Sequence, residues 1–145
     1  MSNIKEEDVV RLQRERWRDA FVARDVETIM SFYLDSDSYV AFDIMPPMSF
    51  NGTAEWRSNW ENFFSMFDSD PTYEFKDVRV TCVEDLAVVT SFTRFAGIVL
   101  GREIDMWARE TNVLRKVDGT WLLTHDHISV PADLNTGRAC MDLVP

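Results

Sequence analysis

The chain has 145 residues, 46% of them hydrophobic, and a formal net charge of −10. This length predicts a single domain, residues 1–145, with enough apolar material for a core and a lined cavity. The negative charge repels phosphate backbones and anionic lipids, so we expect neither nucleic acid nor membranes as partners. The acidic first residues carry no secretory signal, and two cysteines without a CxxC motif fit a reducing compartment, so we predict a cytoplasmic protein.

Helical patterns occupy the first part of the chain. The first helix is predicted to begin near Asn3, with Glu6 as its capping-box partner. Its inner stripe follows helical spacing and consists of Val10, Gln13, Trp17, Ala20, Phe21 and Arg24. Asp25 is suited to cap a short second helix, whose inner face carries Ile29, Phe32 and Tyr33.

One strand precedes the third helix. Residues 38–44 favour a strand, which the prolines of the Met45-Pro46-Pro47-Met48 segment must end because proline lacks the ladder donor. After the Asn51-Gly52 turn, Thr53 is predicted to cap the third helix. The apolar positions of that helix are Trp56, Trp60, Phe63, Phe64 and Phe67.

The second half of the chain predicts four strands joined by turns, over residues 73–83, 86–95, 104–116 and 121–130. Near Asp77 the inward-facing positions switch from one alternate set of residues to the other, which indicates a bulge in the first of these strands. Gly97 and Gly101 are expected to bracket a loop, and Asp118-Gly119 to form a tight hairpin turn. Helices followed by an antiparallel meander predict an α+β fold in which three helices cover one face of the sheet.

The last predicted strand carries the only two histidines of the sequence, His125 and His127. Alternate residues of a strand share a face, so both should lie on the same side as Trp121 and Leu123, which have the character of core residues. Two titratable rings on the inner face predict catalytic residues in a pocket. The alternative is that each ring is hydrogen-bonded in the core or at its rim.

The sequence of the neighbouring strand, residues 104–116, does not determine which of its faces is the inner one, because both faces carry polar and apolar residues. We favour the face of Asp105, Trp107 and Arg109 as the inner one, since it should oppose the histidine face across the hairpin. Arg109 would then be catalytic, and Asp105 and Trp107 would contact a ligand. The alternative is a buried Asp105–Arg109 ion pair that only neutralises itself.

Asp43 lies at the end of the first predicted strand, next to the proline break. A carboxylate at this place is suited to be a proton-transfer base, and it is equally suited to cap a turn. Trp60 and Phe64 are expected to contact a ligand, while their helical spacing also fits ordinary core packing. Tyr33 is expected to donate a hydrogen bond to a ligand carbonyl, and the alternative is that its hydroxyl only caps a backbone group.

A metal site is a further alternative at the histidines. His125-x-His127 with Asp43 or Asp105 would supply two imidazoles and one carboxylate, a set that binds iron or zinc. The sequence contains no third histidine and no cysteine cluster. We therefore predict no metal and no other cofactor.

Several segments resemble the SnoaL-like ketosteroid-isomerase homologues of the NTF2-like superfamily. They are Val40-Ala41-Phe42-Asp43-Ile44-Met45-Pro46-Pro47-Met48 with Gly52, Trp107-Ala108-Arg109-Glu110-Thr111, Asp118-Gly119-Thr120-Trp121, and the tail over residues 125–133 and 136–145. The resemblance implies a cone, in which a strongly curved antiparallel sheet wraps three helices around a mostly apolar pocket, usually in a homodimer. Steroid isomerases of this fold use a carboxylate base, and Asp43 lies in the corresponding part of the chain. Dehydratases of this fold use a histidine pair with an aspartate, to which His125 and His127 are chemically similar.

Two hypotheses about function remain. The first is a cofactor-free isomerase or lyase, in which His127, His125 or Asp43 removes a proton next to a carbonyl and Arg109 stabilises the enolate. The second is a non-catalytic ligand-binding or association module. Both expect a homodimer through an apolar outer sheet face, formed by Ile104, Met106, Leu122, Ile128 and Val130.

Overall fold

The computed structural model describes residues 4–145, which form three helices, a six-stranded sheet and a two-stranded hairpin. The helices are α1 (Glu6–Val22), α2 (Val26–Ser31) and α3 (Thr53–Ser65). The sheet contains β1 (Val40–Phe42), β2 (Phe50–Asn51), β3 (Thr72–Val83), β4 (Leu86–Val99), β5 (Arg102–Val117) and β6 (Thr120–Ser129). The hairpin contains β7 (Ala132–Asp133) and β8 (Arg138–Ala139). The predicted α+β class is confirmed.

The strand order in the sheet is β2-β1-β6-β5-β4-β3. Strands β3 to β6 form the predicted antiparallel meander, with each strand paired to the next in sequence. Strand β1 pairs with β6 in parallel, with Val40 opposite His125, so the sheet is mixed rather than wholly antiparallel. A parallel pair needs a long connection, and here α3 and the four intervening strands supply it.

Helices α1 and α2 begin in different ways. Helix α1 starts after Lys5, which makes no side-chain cap, and the predicted cap Asn3 lies outside the described residues. Helix α2 is capped as predicted, because Asp25 Oδ1 accepts a hydrogen bond of 3.1 Å from the backbone N–H of Thr28. This cap fixes the turn that folds α2 back against α1.

The start of α3 differs by one residue from the prediction. Gly52 occupies the N-cap position with a positive φ of 83°, and Thr53 is the first helical residue. The Thr53 hydroxyl donates to Asp35 Oδ1 at 2.6 Å instead of capping the helix. Thr53 therefore ties α3 to the loop that leads into β1, and this contact helps to place the helix over the sheet.

The hydrophobic core lies between the helices and one face of the sheet, and it is strongly aromatic. Trp17 of α1 packs edge-on against Trp60 of α3 and Tyr73 of β3, with ring centroids 5.6 and 5.2 Å apart. Phe21 lies 4.6 Å from Tyr73 between the ring centroids. Such edge-to-face contacts fix the rings relative to one another. The core is therefore a rigid frame for any space enclosed beside it.

A bulge at Asp77 is confirmed. The register between β3 and β4 shifts between Lys76 and Arg79, and Asp77 has a φ of 53°. The one extra residue in β3 changes which side chains face the helices, so that Phe75, Val78 and Val80 all pack against the core.

The predicted loop at Gly97 is wrong, because β4 continues through Gly97 to Val99. The glycine is required by packing rather than by a turn. A β-carbon at this position would lie 2.9 Å from Cε1 of Phe67, whose side chain is buried under the strand.

Gly97→Ala is expected to lower the free energy of unfolding by about 1–3 kcal/mol, because the new methyl group overlaps the Phe67 ring. Urea unfolding measures the change. Phe67→Leu provides the control, since it should reduce the cost of Gly97→Ala when the two are combined. Strictly additive effects of the two substitutions would contradict the steric explanation.

A second bulge, in β6, decides the orientation of the strand's second half. Val113 of β5 lies opposite His125, whereas the next residue, Leu114, lies opposite Leu123. Thr124 is thus an extra residue, and the alternation of faces is inverted beyond it. Leu123 is buried against the helices before the bulge, and Asp126 is buried after it.

No helix within residues 4–145 is both long enough and apolar enough to cross a membrane. The cytoplasmic location and the assignment of residues 1–145 to one domain stay predictions.

Candidate active site

A cavity of about 250 Å³ lies between the helices and the inner face of the sheet. Its helical walls are Trp17 and Phe21 of α1 and Trp56, Trp60 and Phe63 of α3. Its sheet walls include Tyr73, Phe95, Ile104, Met106 and Ile128. These walls are almost entirely apolar, and the volume suits a small organic molecule.

Flexible apolar side chains surround one end of the cavity. They are Ile44, Met45, Met66, Leu100 and Met141. Leu100 is 70% exposed and Met141 is 44% exposed, so this end opens to solvent. Methionine and leucine side chains at an opening can adapt to the shape of an entering ligand.

Asp43 brings a carboxyl group to the cavity wall. It follows β1 directly, where the chain leaves the sheet, and it is partly buried. Its Oδ1 accepts a hydrogen bond of 2.7 Å from the backbone N–H of Ile44, and its Oδ2 accepts one of 3.3 Å from the Asn59 amide. Burial raises the pKa of Asp43, repulsion from Asp126 adds to this effect, and the two hydrogen bonds oppose it.

A buried ion pair lies at the inner end of the cavity. Arg14 of α1 and Glu110 of β5 approach to 3.0 Å between Nη2 and Oε1, and both residues are almost fully buried. Tyr73 and Asn112 also donate hydrogen bonds to Glu110, at 3.0 and 2.9 Å. Burial raises the pKa of Glu110 and outweighs the opposing attraction of Arg14. For Arg14, burial favours the neutral form, yet the attraction of Glu110 and Asp126 raises its pKa.

Asp126 of β6 is the third carboxyl group at the cavity and is 6% exposed. Its Oδ2 accepts hydrogen bonds from the hydroxyls of Tyr33 at 2.6 Å and Tyr39 at 3.0 Å. Its Oδ1 accepts one from Asn112 at 2.6 Å. Asn112 therefore links Asp126 to Glu110, and the pKa values of both tyrosines are raised by burial and by the Asp126 charge.

The prediction that His125 and His127 face the pocket is wrong. The extra residue Thr124 turns both rings to the outer face of the sheet, where they lie beside Phe42. His125 Nδ1 is 2.6 Å from the carbonyl oxygen of Val40, and His127 is exposed. The inner position that we assigned to the histidines is occupied by Asp126.

The inner face of β5 is also the opposite of the one we favoured, because its orientation was inferred from the histidines. Trp107 and Arg109 lie on the outer face, and Arg109 Nε donates to the hydroxyl of Ser129 at 3.2 Å. Asp105 forms two 2.8 Å hydrogen bonds with Arg94, which lower the pKa of Asp105. Asp105 and Trp107 line a separate depression next to residues 141–144, away from Asp43.

The prediction of an apolar outer face relied on the same incorrect assignment of inner and outer residues along the strands. Ile104, Met106 and Ile128, which we expected outside, line the cavity. Of the three aromatic residues predicted to contact a ligand, only Trp60 lines the cavity. Tyr33 instead donates a hydrogen bond to Asp126. Phe64 is stacked on Trp60, with ring centroids 5.6 Å apart.

Among the predicted site residues, the structure therefore brings Asp43 and Trp60 together at one cavity. Sequence reasoning missed Glu110, Asp126 and Asn59. A signal for Glu110 was present, since Met106, Ala108 and Leu114 share its face of β5 and indicate a buried face.

No group of three or more histidine, cysteine, aspartate or glutamate side chains within residues 4–145 is placed to hold a metal ion. Asp43 lies at the cavity and the histidines lie across the sheet, so the set of two histidines and a carboxylate is not assembled.

Alanine substitution of His125 or His127 is expected to leave cavity binding of a small apolar molecule such as tert-butylbenzene unchanged, because both rings lie on the opposite face of the sheet. Isothermal titration calorimetry measures the affinity, with Trp60→Phe as a variant in the cavity wall for comparison. A loss of about tenfold or more in either histidine variant would contradict this orientation.

Comparison with known proteins places the chain in a family. The model of the SnoaL-like domain matches residues 11–133. An NTF2-like protein of unknown function from Pseudomonas putida KT2440 is 30% identical, with 96% of each chain covered and a TM-score of 0.86. A ketosteroid isomerase-like protein from Erwinia carotovora atroseptica SCRI1043 is 25% identical, covers 88% of this chain and 97% of its own, and has a TM-score of 0.72.

An NTF2-like superfamily protein from Salmonella enterica serovar Typhimurium LT2 shares the fold at 17% identity, with 92% and 96% of the two chains covered and a TM-score of 0.79. No curated protein matches the chain. The resemblance seen in the sequence is confirmed, and the chain belongs to the SnoaL-like domain family of the NTF2-like superfamily.

Proposed function

We propose that this protein is a cofactor-free isomerase or lyase that moves a proton on a small, partly apolar molecule bound in the cavity, with Asp43 as the base. In this reaction the Asp43 carboxylate takes a proton from carbon next to a carbonyl group or an equivalent electron acceptor. The C–H electron pair moves into that acceptor. Return of the proton to another atom gives an isomer, and departure of a leaving group gives an elimination product.

The observation that carries this proposal is the environment of Asp43. Its carboxyl group lies at the wall of an apolar cavity, and within residues 4–145 it forms no ion pair with a lysine, arginine or histidine. Burial raises its pKa, which makes its carboxylate a stronger base than an exposed one. A pocket with few polar groups also keeps water away from a carbanion-like intermediate.

The other two carboxyl groups are less suited to be the base. Asp126 accepts three hydrogen bonds and Glu110 is held by Arg14, Tyr73 and Asn112. These contacts occupy about three of the four lone-pair sites of each carboxylate and favour its charged form, which lowers its basicity. Asp43, with two neutral donors, keeps more of its basicity for a ligand.

Hydrogen–deuterium exchange at carbon tests the proposal without knowledge of the product. A panel of cyclic ketones, enones and polyketide-like phenols is incubated with the protein in D₂O, and loss of the α-proton signal is followed by NMR. We expect catalysed exchange for at least one compound class, and its loss in Asp43→Asn. Asp85→Asn, an identical change in an exposed turn, is the control. Exchange that persists in Asp43→Asn would exclude Asp43 as the base.

A second candidate function is a non-catalytic ligand-binding and association module. The outer face of the sheet favours it, because Phe42 and Val88 are large apolar residues that are 38% and 36% exposed there. We propose that a second copy of this chain covers this face. Sedimentation velocity should show a dimer that Phe42→Glu weakens, and a monomeric wild type would exclude this interface.

A further inference from the structure

The cavity contains an excess of negative charge. Asp43, Glu110 and Asp126 all line it, whereas none of its lining residues within residues 4–145 is lysine, arginine or histidine. Among the described residues, Arg14 is the one buried cation beside this cluster, and it is paired with Glu110. Three carboxyl groups thus share one guanidinium, and an anionic ligand would add repulsion to a site that water screens poorly.

Asp43 is the carboxyl group that lacks compensation. The Arg14 guanidinium is paired with Glu110 and does not line the cavity, and Asp126 receives three hydrogen bonds. Asp43 receives hydrogen bonds from neutral donors, the backbone N–H of Ile44 and the Asn59 amide, and forms no ion pair within residues 4–145. A buried carboxylate with two neutral donors is stabilised by a cation that enters the same cavity.

Aromatic side chains in the cavity wall provide a second, independent reason for a cation. Helix α3 presents Trp56, Asn59 and Trp60 to the cavity, because these residues are three and four positions apart. Asn59 donates a hydrogen bond to Asp43, and the Trp56 and Trp60 rings have centroids 5.3 Å apart. The negative face of an indole attracts ammonium groups, most strongly where water is excluded.

We infer that the preferred ligand of this cavity is an organic cation, with an ammonium group beside Asp43 and an apolar body against the aromatic walls. The inference rests on the proposed function in that it uses the same cavity and names the class of molecule that enters it. It also bears on the chemistry. Proton removal from carbon of a cation leaves an intermediate with no net charge, whereas removal from a neutral molecule would create an anionic intermediate next to Glu110 and Asp126.

Three molecules of nearly equal shape test the inference: phenyltrimethylammonium, tert-butylbenzene and benzenesulfonate, which carry charges of about +1, 0 and −1. Their binding to the protein is measured by titration calorimetry at neutral pH. We expect the cation to bind at least about tenfold more tightly than the neutral molecule, and no binding of the anion. Asp43→Asn should remove this preference and leave tert-butylbenzene binding unchanged, while Asp85→Asn should retain it.

The outcomes separate this inference from the proposed function. Equal or tighter binding of tert-butylbenzene, or any binding of benzenesulfonate in the cavity, overturns the cation preference and leaves Asp43 available as a base for neutral substrates. Retention of the preference in Asp43→Asn also overturns it. Failure of all three molecules to bind contradicts both proposals. Unchanged tert-butylbenzene binding in Asp43→Asn shows that the variant is folded, so a loss of cation binding is then electrostatic.

Discussion

Arg14→Met is expected to lower the free energy of unfolding by about 3–5 kcal/mol, the largest effect of any single substitution considered for this chain. Methionine can occupy the space of the arginine stem, but it removes the buried cation that compensates Glu110 and Asp126. Both carboxyl groups would then be buried without a counter-charge. Urea unfolding monitored by tryptophan fluorescence measures the change.

The control for this prediction is Arg16→Met, the same substitution at an exposed position of α1. It should change stability by less than about 0.5 kcal/mol. In addition, Glu110→Gln keeps an acceptor for Tyr73 and removes one of the charges. The double variant should therefore regain part of the stability lost by Arg14→Met. If the two substitutions add without coupling, the ion pair is not the cause of the loss.

Asp43→Asn is expected to have opposite effects on activity and on stability. Loss of the base should reduce carbon-acid exchange by about 10²–10⁴-fold. The amide preserves the shape of the side chain but carries no charge to be buried, so the folded variant should unfold at a higher temperature than wild type at neutral pH. Lower activity together with higher stability is typical of substitutions at catalytic residues, whose environment favours function over stability.

The stabilising effect expected for Asp43→Asn should depend on pH. Because the pKa of Asp43 is raised in the folded protein, the folded state binds its proton more tightly than the unfolded state. Wild-type stability should therefore fall as pH rises from the ordinary aspartate pKa through the raised one. Glu110 contributes in the same direction in both proteins, so the difference between wild type and Asp43→Asn isolates Asp43. Thermal melts across this range that show no difference would contradict a raised pKa.

Much of the fold could be predicted from local patterns. The spacing of Trp56, Trp60 and Phe63 indicates α3, and the phase change near Asp77 indicates the bulge in β3, because both signals lie within one segment. The parallel pairing of β1 with β6 could not be predicted in this way. It depends on contacts between segments that lie more than eighty residues apart, such as Val40 and His125.

The candidate site was predicted only in part, for a related reason. The positions of Asp43 and Trp60 were predicted from the sequence patterns of the strand and the helix that carry them, and both residues line the cavity. The orientation of His125 and His127 depends on how β6 is aligned with β5, and no glycine or proline stands at or beside Thr124 to indicate a bulge. Nothing within β6 marks the extra residue. The error then extended to Arg109, because its face had been chosen to match the histidines.

The Thr124 bulge has a consequence for comparing relatives of this chain. Strand β6 carries two chemically different sets of side chains, imidazoles on one face and a carboxylate on the other, and a single inserted residue determines which set reaches the interior. A homologue that lacked this residue would present histidines to its cavity from an almost identical sequence. Transfer of catalytic residues between family members along this strand is therefore valid only where the bulge itself is aligned.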